Sequence, residues 1–308
     1  MRRMTPRIIF MGSPDFALPT LIALHQNYHL IGVVTQPDKP AGRGRGVSAP
    51  PVKILAQQLG LPLIQPRRLS EPEALAQLRQ WHPDLIIVAA FGQLLRPAVL
   101  VLPRFGCLNV HASLLPRWRG ASPLHHAILH GDAETGVTIM QMDAGLDTGP
   151  ALAARATPIT PEETSGSLSP KLAALGADLL IKTLPAYLGG SLAPQPQPAE
   201  GITYAPLLKK SDGLLDLTRP AAELERRVRA FHPWPGAFIE WQGAPLKILR
   251  ARALAGAAQP GDTATLAGAP ALGAADGWLL LEEVHPAGKR PMSGRDFLNA
   301  AREWGGQA

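Results

Sequence analysis

At 308 residues the chain is long for one domain and comfortable for two, each able to bury its own core. Hydrophobic residues make up 46% and charged residues 18%, an ordinary globular balance that excludes a disordered or fibrous protein, while 32 prolines and 30 glycines imply many loops and at least one linker. A net charge of +6 and a pI near 9.8 fit a polyanionic partner without requiring one, and the single cysteine excludes an internal disulfide or a cysteine metal cluster. The N-terminus carries no long apolar run. Neither a signal peptide nor a membrane span is therefore expected, and a reducing, cytoplasmic setting is.

Arg7 to Met11 reads as the first strand, and Gly12-Ser-Pro-Asp-Phe16 after it as a tight turn and helix start, the opening of a doubly wound α/β sheet. Of the three spaced glycines that seat a dinucleotide pyrophosphate, only Gly12 is present, which argues against a nicotinamide dehydrogenase. Leu30 to Thr35 is the second strand. It runs into Gln36 to Gly46, where glycine and proline exclude regular structure and Lys39, Arg43 and Arg45 supply charge. Composition alone favours a solvated surface loop, yet a loop at a strand's carboxyl end lies on the side where phosphates would be met. Helices are expected over 51–59 and 71–81, a short strand over 61–65, and Leu85 to Ala90 is apolar throughout, as a strand buried on both faces requires. Phe91, Leu94 and Leu95 leave that strand's carboxyl end. Core packing accounts for each singly, and together they have the chemistry to sandwich a flat ring.

The stretch from Gly106 to Pro150 holds the densest polar chemistry in an apolar setting. Cys107 to His111 alternates as a strand, so Asn109 and His111 share a face near its carboxyl end, while Cys107 reads as a buried, inert thiol. Thr135 to Met142 is a second β-branched strand feeding a glycine-punctuated loop that carries Asp147 and folds back towards the first. An amide donor, an imidazole and a carboxylate are the groups needed to move an acyl unit onto an amine: the amide and the imidazolium stabilise an oxyanion, and the carboxylate holds the imidazolium and relays protons. On residue types alone, a turn cap at Asn109, a core histidine at His111 and a turn-starting Asp147 explain the stretch equally well. His126 and His130 stand at i and i+4 on an expected helix, with His125 beside them, but no glutamate or cysteine accompanies them, so no zinc is expected.

A helix over 162–188 completes the first domain. The Pro/Gln/Gly string from Gly189 to Gly201 is too polar to build a core and reads as a semi-rigid linker. Beyond it lie a basic turn at Lys209 and Lys210, a helix over 221–230, and short β-rich runs at 238–241, 246–251 and 278–284 separated by Gly/Pro turns, a spacing that suggests a small barrel.

The string Asn109-Val-His111-Ala-Ser-Leu-Leu-Pro116-Arg-Trp-Arg119-Gly120-Ala-Ser-Pro123 resembles the signature of the folate-dependent formyltransferases, and Leu146-Asp147-Thr148-Gly149 resembles that family's second signature. The C-terminal segments Arg229-Ala-Phe-His-Pro-Trp-Pro-Gly236 and Pro286-Ala-Gly-Lys-Arg-Pro-Met292 extend the resemblance over nearly the whole chain. It implies an open Rossmann-like formyltransferase domain over 1–190, a linker over 191–206 and an OB-like β-barrel domain over 207–308. It implies transfer of a formyl group from 10-formyltetrahydrofolate to an amine, with Asn109, His111 and Asp147 as the catalytic trio and no metal. Ser113, Leu114, Leu115 and Pro116 match the segment that contacts the folate, and Phe91 and Leu95 its pterin-side wall. The basic insertion at Gln36 to Gly46 is similar to the one found in the branch of the family whose acceptor is methionyl-tRNA, where it meets the acceptor stem. That assigns tRNA contacts to Lys39, Arg43 and Arg45, joined by Lys209 and Lys210. A monomer is expected. Formyl transfer to a small amine, hydrolysis of the same folate, and a non-catalytic RNA-binding protein are the competing readings. Trp118 and His232 depart from the tyrosine and asparagine common in the family.

Overall fold

The computed structural model describes residues 6–41 and 46–305. The chain divides into two compact units: Met1–Pro123, Glu134–Thr157 and Ser169–Ala205 form the first, and Leu124–Ala133, Pro158–Leu168 and Pro206–Ala308 the second. These differ from the expected blocks 1–190 and 207–308, because two short segments of the first block fold with the second unit and the chain up to Ala205 folds with the first.

The frame of the first unit follows from its apolar runs. Strand β1 (Arg7–Gly12) leads through a 3-10 turn to α1 (Leu18–Asn27), β2 (His29–Val34) and a short hairpin, β3 (Lys39–Ala41) with β4 (Gly46–Ser48). The hairpin corrects the expectation that Gln36 to Gly46 lacks regular structure: Lys39, Pro40 and Ala41 pair with Ser48, Val47 and Gly46, because glycine and proline disfavour a helix but still allow extended backbone to pair. Then come α2 (Pro51–Gln58), β5 (Leu63–Ile64), α3 (Pro72–Trp81) and β6 (Leu85–Ala89), with proline in the first turn of both helices, where the missing N–H costs nothing. Gly32 in β2 is needed for close approach, since a Cβ there would lie 2.5 Å from the Trp81 ring of α3. The chain continues through α4 (Pro97–Leu100), β7 (Cys107–His111), β8 (Arg119–Gly120), α5 (Pro123–Leu129), β9 (Glu134–Gln141), β10 (Ala151–Pro158), α6 (Ser165–Leu188) and β11 (Tyr204–Ala205).

The main sheet has the order β10-β9-β7-β6-β1-β2-β5. Strands β5, β2, β1, β6 and β7 run parallel, and β9 runs antiparallel to β7. Ile8 to Met11 and Leu85 to Ala89 are almost wholly buried, as the apolar runs require of strands covered on both faces. The order reverses between β1 and β6, and such a switch point opens a crevice at the carboxyl ends of the strands. Side chains around it are tied together: Thr35 Oγ1 and the Gln36 N–H both donate to Ser13 Oγ, and Gln36 Nε2 donates to the carbonyls of Phe91 and Gly92.

In the second unit α7 (Ala221–Phe231) precedes the antiparallel sheet of β12 (Ala237–Trp241), β13 (Ala244–Ala255), β14 (Thr263–Leu266), β15 (Ala269–Gly273), β16 (Gly277–Pro286) and β17 (Met292–Ser293), closed off by α8 (Gly294–Ala300). Helix α7 buries Leu224, Val228 and Phe231. Phe297 meets Trp241 and Trp304 edge to face with ring centroids 5.1 and 5.4 Å apart, and the two indoles lie tilted at 6.1 Å; an edge-to-face pair is worth about 0.5–1.5 kcal/mol beyond burial. No described helix is long and apolar enough to cross a membrane.

Candidate active site

Asn109 and His111 alternate on β7 opposite Met140 and Thr138 of β9, which fixes both on one face at the strand's carboxyl end. Asp147 reaches them from the loop after β9. That loop closes on itself, because Asp143 Oδ1 accepts from the Gly145 N–H (3.0 Å) and from Thr148 Oγ1 (2.7 Å). It then folds flat against β9, where a Cβ on Gly149 would lie 1.9 Å from the Gln141 carbonyl oxygen, so only glycine fits. Asp147 has φ 52°, a left-handed conformation that aspartate tolerates better than most residues.

The three predicted residues converge. Asp147 Oδ2 lies 3.7 Å from His111 Nδ1 and accepts from the Gly120 N–H at 2.8 Å, while Asn109 Nδ2 makes a long, 3.5 Å contact to Asp147 Oδ1. His111 is buried and its Nε2 sits 2.9 Å from the Trp118 carbonyl, which only accepts, so Nε2 carries a proton. The Asp147 carboxylate faces the other ring nitrogen, Nδ1.

Three contributors had no local signal in the sequence. Trp118 is buried with φ 63°, rare for a bulky residue, and this backbone turns its carbonyl onto His111. Its N–H donates to Thr203 Oγ1 at 2.8 Å, and the Arg119 N–H donates to the Thr203 carbonyl at 2.9 Å. Gln197 reaches the loop of Asp147 itself, donating through Nε2 to the carbonyls of Asp147 (2.8 Å) and Gly149 (2.7 Å). Thr203 and Gln197 both lie in the expected linker 191–206. Far from hanging free, this stretch pairs with β10 through Ala151 and Gln195 and with β8 through β11. A polar, proline-rich string cannot build a core, but its amides can still dock.

The remaining expected site residues fall into groups. Ser113 is fully buried and its Oγ donates to the Arg117 carbonyl at 2.6 Å, so it holds the turn, whereas Leu114, Leu115 and Pro116 are partly exposed and available to a ligand. Phe91 and Leu95 are buried in a core cluster with Val34, Leu69 and Val99, and Leu94 beside them is exposed. Lys39 Nζ donates to Gln36 Oε1, and Asp38 beside it pairs with Lys53, whose ammonium holds the Asp38 carboxyl below its ordinary range. Arg43 and Arg45 lie outside the described residues. Lys209 and Lys210 are exposed at a 3-10 turn of the second unit.

Cys107 is buried, and burial pushes its thiol up to about 12, too high to supply a thiolate nucleophile. Helix α5 stops at Leu129, just short of His130, whose ring stacks on that of His126 at 5.8 Å. Among the described residues no group of three His, Cys, Asp or Glu side chains is placed to hold a metal.

Residues 6–184 match the family described as formyl transferase, and residues 207–302 match its C-terminal domain. The methionyl-tRNA formyltransferase of Myxococcus xanthus is 53% identical over 95% of this chain and 94% of its own, and that of Halorhodospira halophila is 51% identical over 97% of each. Among solved structures, the N-formyltransferase of Helicobacter canadensis in complex with folinic acid and dTDP-3-aminofucose superposes with a TM-score of 0.68 at 16% identity, covering 92% of this chain and 100% of that one. HypX from Aquifex aeolicus in complex with tetrahydrofolic acid gives 0.64 at 18% identity over 96% of this chain and 47% of its own, a likeness of fold. With both domains matched in order and full-length relatives at half identity, the chain belongs to the methionyl-tRNA formyltransferase family.

Proposed function

We propose that the chain transfers the formyl group of 10-formyltetrahydrofolate to the α-amine of methionyl-tRNA, acting in the cytoplasm as a monomer, without a metal, to support translation initiation. The observation that carries this reading is the convergence of Asn109 and His111, at the carboxyl end of β7, on Asp147, at 3.5 and 3.7 Å. The full-length likeness to relatives that bear the name methionyl-tRNA formyltransferase supports the choice of acceptor.

In this reading the amine attacks the formyl carbon, a C–N bond forms, and the carbonyl oxygen gains negative charge. Asn109 Nδ2 donates to that oxygen and the cationic ring of His111 stabilises it; loss of one such donor typically costs about 10²–10³ in turnover. Asp147 holds the imidazolium and takes the amine proton through water. The same proton reaches N10 of the folate, whose bond to the formyl carbon then breaks, so no proton or electron is left over. Contacts in the absence of substrate are often longer than those in the reacting complex, and the 3.5 Å and 3.7 Å separations fit that rule.

Ser113 fixes the turn on which Leu114, Leu115 and Pro116 contact the folate. Lys39, Arg43 and Arg45 meet acceptor-stem phosphates from the first unit, and Lys209 and Lys210 add contacts from the second. Product analysis with labelled 10-formyltetrahydrofolate tests the choice of reaction. Label on the methionyl ester only when charged tRNA is present supports transfer, and free formate released equally with or without tRNA identifies a hydrolase.

A further inference from the structure

The chain between Gln195 and Ala205 reads as a linker, yet its side chains and amides hold the backbone on both sides of the catalytic trio. Its most specific contact is Gln197. One face of this amide donates twice to the loop of Asp147, at the Asp147 and Gly149 carbonyls, at 2.8 and 2.7 Å. The other face, Oε1, accepts from Arg119 Nε (3.1 Å) and Nη2 (2.7 Å). Arg119 is buried, so its guanidinium fixes which way the amide points. The Gly120 N–H, next in the chain, donates to Asp147 Oδ2. Gln197 and Arg119 therefore close a ring of contacts around Asp147, from carboxylate to Gly120, through Arg119 and Gln197, and back to the Asp147 carbonyl. We infer that Gln197, oriented by Arg119, is a positioning residue that sets the height and angle of the Asp147 carboxylate against His111.

The position has few substitutes. Glutamate at 197 keeps an acceptor for Arg119 but replaces the double donor with an oxygen facing two carbonyls. Alanine removes both halves. Each removes the donor that holds the carbonyl of the left-handed residue Asp147 and leaves the loop its own internal clasp at Asp143. A misplacement of about 1 Å in a catalytic group costs roughly 10²-fold in rate.

This inference rests on the formyl-transfer reading, and its test separates the two. The full-length wild-type chain, Gln197→Ala and Gln197→Glu are assayed for kcat, for KM of each substrate, and for kcat against pH. Amide hydrogen exchange over residues 143–150 is measured in the same proteins without substrate. The expected result is a kcat lowered roughly 10- to 100-fold in both variants. Each KM should stay within about threefold, the pH profile should be displaced relative to wild type, and exchange at 144–149 should be faster while β6 and β7 remain protected. Wild-type kcat and pH profile in Gln197→Ala overturns the inference. So does unchanged exchange in the loop, even if kcat falls. Failure of the wild-type chain to formylate methionyl-tRNA strikes at the reading itself, and the exchange measurement still decides whether Gln197 anchors the loop.

Discussion

Replacing Asp147 with asparagine removes one charge and one of the two acceptor oxygens that face the Gly120 N–H and Asn109 Nδ2, while keeping the side chain's shape. The two side chains have the same shape, and asparagine adopts the left-handed backbone at φ 52° as readily as aspartate, so the loop has no steric reason to move. What disappears is the negative charge 3.7 Å from His111 Nδ1, between side chains only 5% and 14% exposed. At an effective dielectric near 20, a unit pair at that distance is worth about 4.5 kcal/mol, or roughly three decades in rate if the charge matters only while the imidazolium and oxyanion coexist. Loss of a positioned proton acceptor alone is expected to cost about 10² to 10⁴, which brackets the same figure. Asp147→Asn should therefore lower kcat about 10³-fold, with the folate KM within about threefold of wild type, because the folate-facing turn at Leu114 to Pro116 is untouched. Steady-state formyl transfer at saturating tRNA, with thermal unfolding as a control for the fold, is the assay. A correctly folded variant within tenfold of wild-type kcat would refute the reasoning and remove Asp147 from the chemistry.

Arg43→Ala should raise the KM for methionyl-tRNA without changing the folate KM, and should make the dependence of tRNA binding on salt shallower by about one counterion; an unchanged salt slope would count against a phosphate contact at that position. His125 gives a stability prediction with a defined sign. Burial, reinforced by the neighbouring His126, lowers its folded pKa to about 4 from an ordinary value of 6.5. Between those pH values the unfolded chain binds the proton and the folded chain does not, so stability falls as pH drops from about 6.5 to about 4, by up to about 3 kcal/mol. Denaturant unfolding across that range should give a flatter curve for His125→Gln than for wild type, and parallel curves would assign the acid loss to other groups.

Much of the architecture was legible because the first unit's strands are encoded in consecutive residues: Ile8 to Met11 and Leu85 to Ala89 are apolar on both faces, and Asn109 and His111 alternate on β7. The convergence of Asp147 with that strand followed from a glycine-rich loop after a β-branched run. Other features were not local. The hairpin of β3 and β4 is set by backbone pairing between Lys39–Ala41 and Gly46–Ser48, which a Gly/Pro-rich composition obscures. Phe91 and Leu95 looked alike with Leu94, but which apolar side chain faces inward depends on how the backbone turns at Ala90 and Gly92, both at positive φ. The clearest miss is the stretch around Gln197 and Thr203, whose polar composition is that of a linker and whose contacts are made with partners some 50 to 85 residues away.

The central claim is that the trio passes a formyl group to an aminoacyl-tRNA. The most direct measurement is partition of label from 10-formyltetrahydrofolate when the enzyme is offered methionyl initiator tRNA, methionyl elongator tRNA and a nucleotide amino sugar in competition. The account predicts label on the methionyl ester, with the initiator preferred and the sugar essentially unlabelled. Label collecting on the amino sugar, or as formate at a rate indifferent to tRNA, would contradict it.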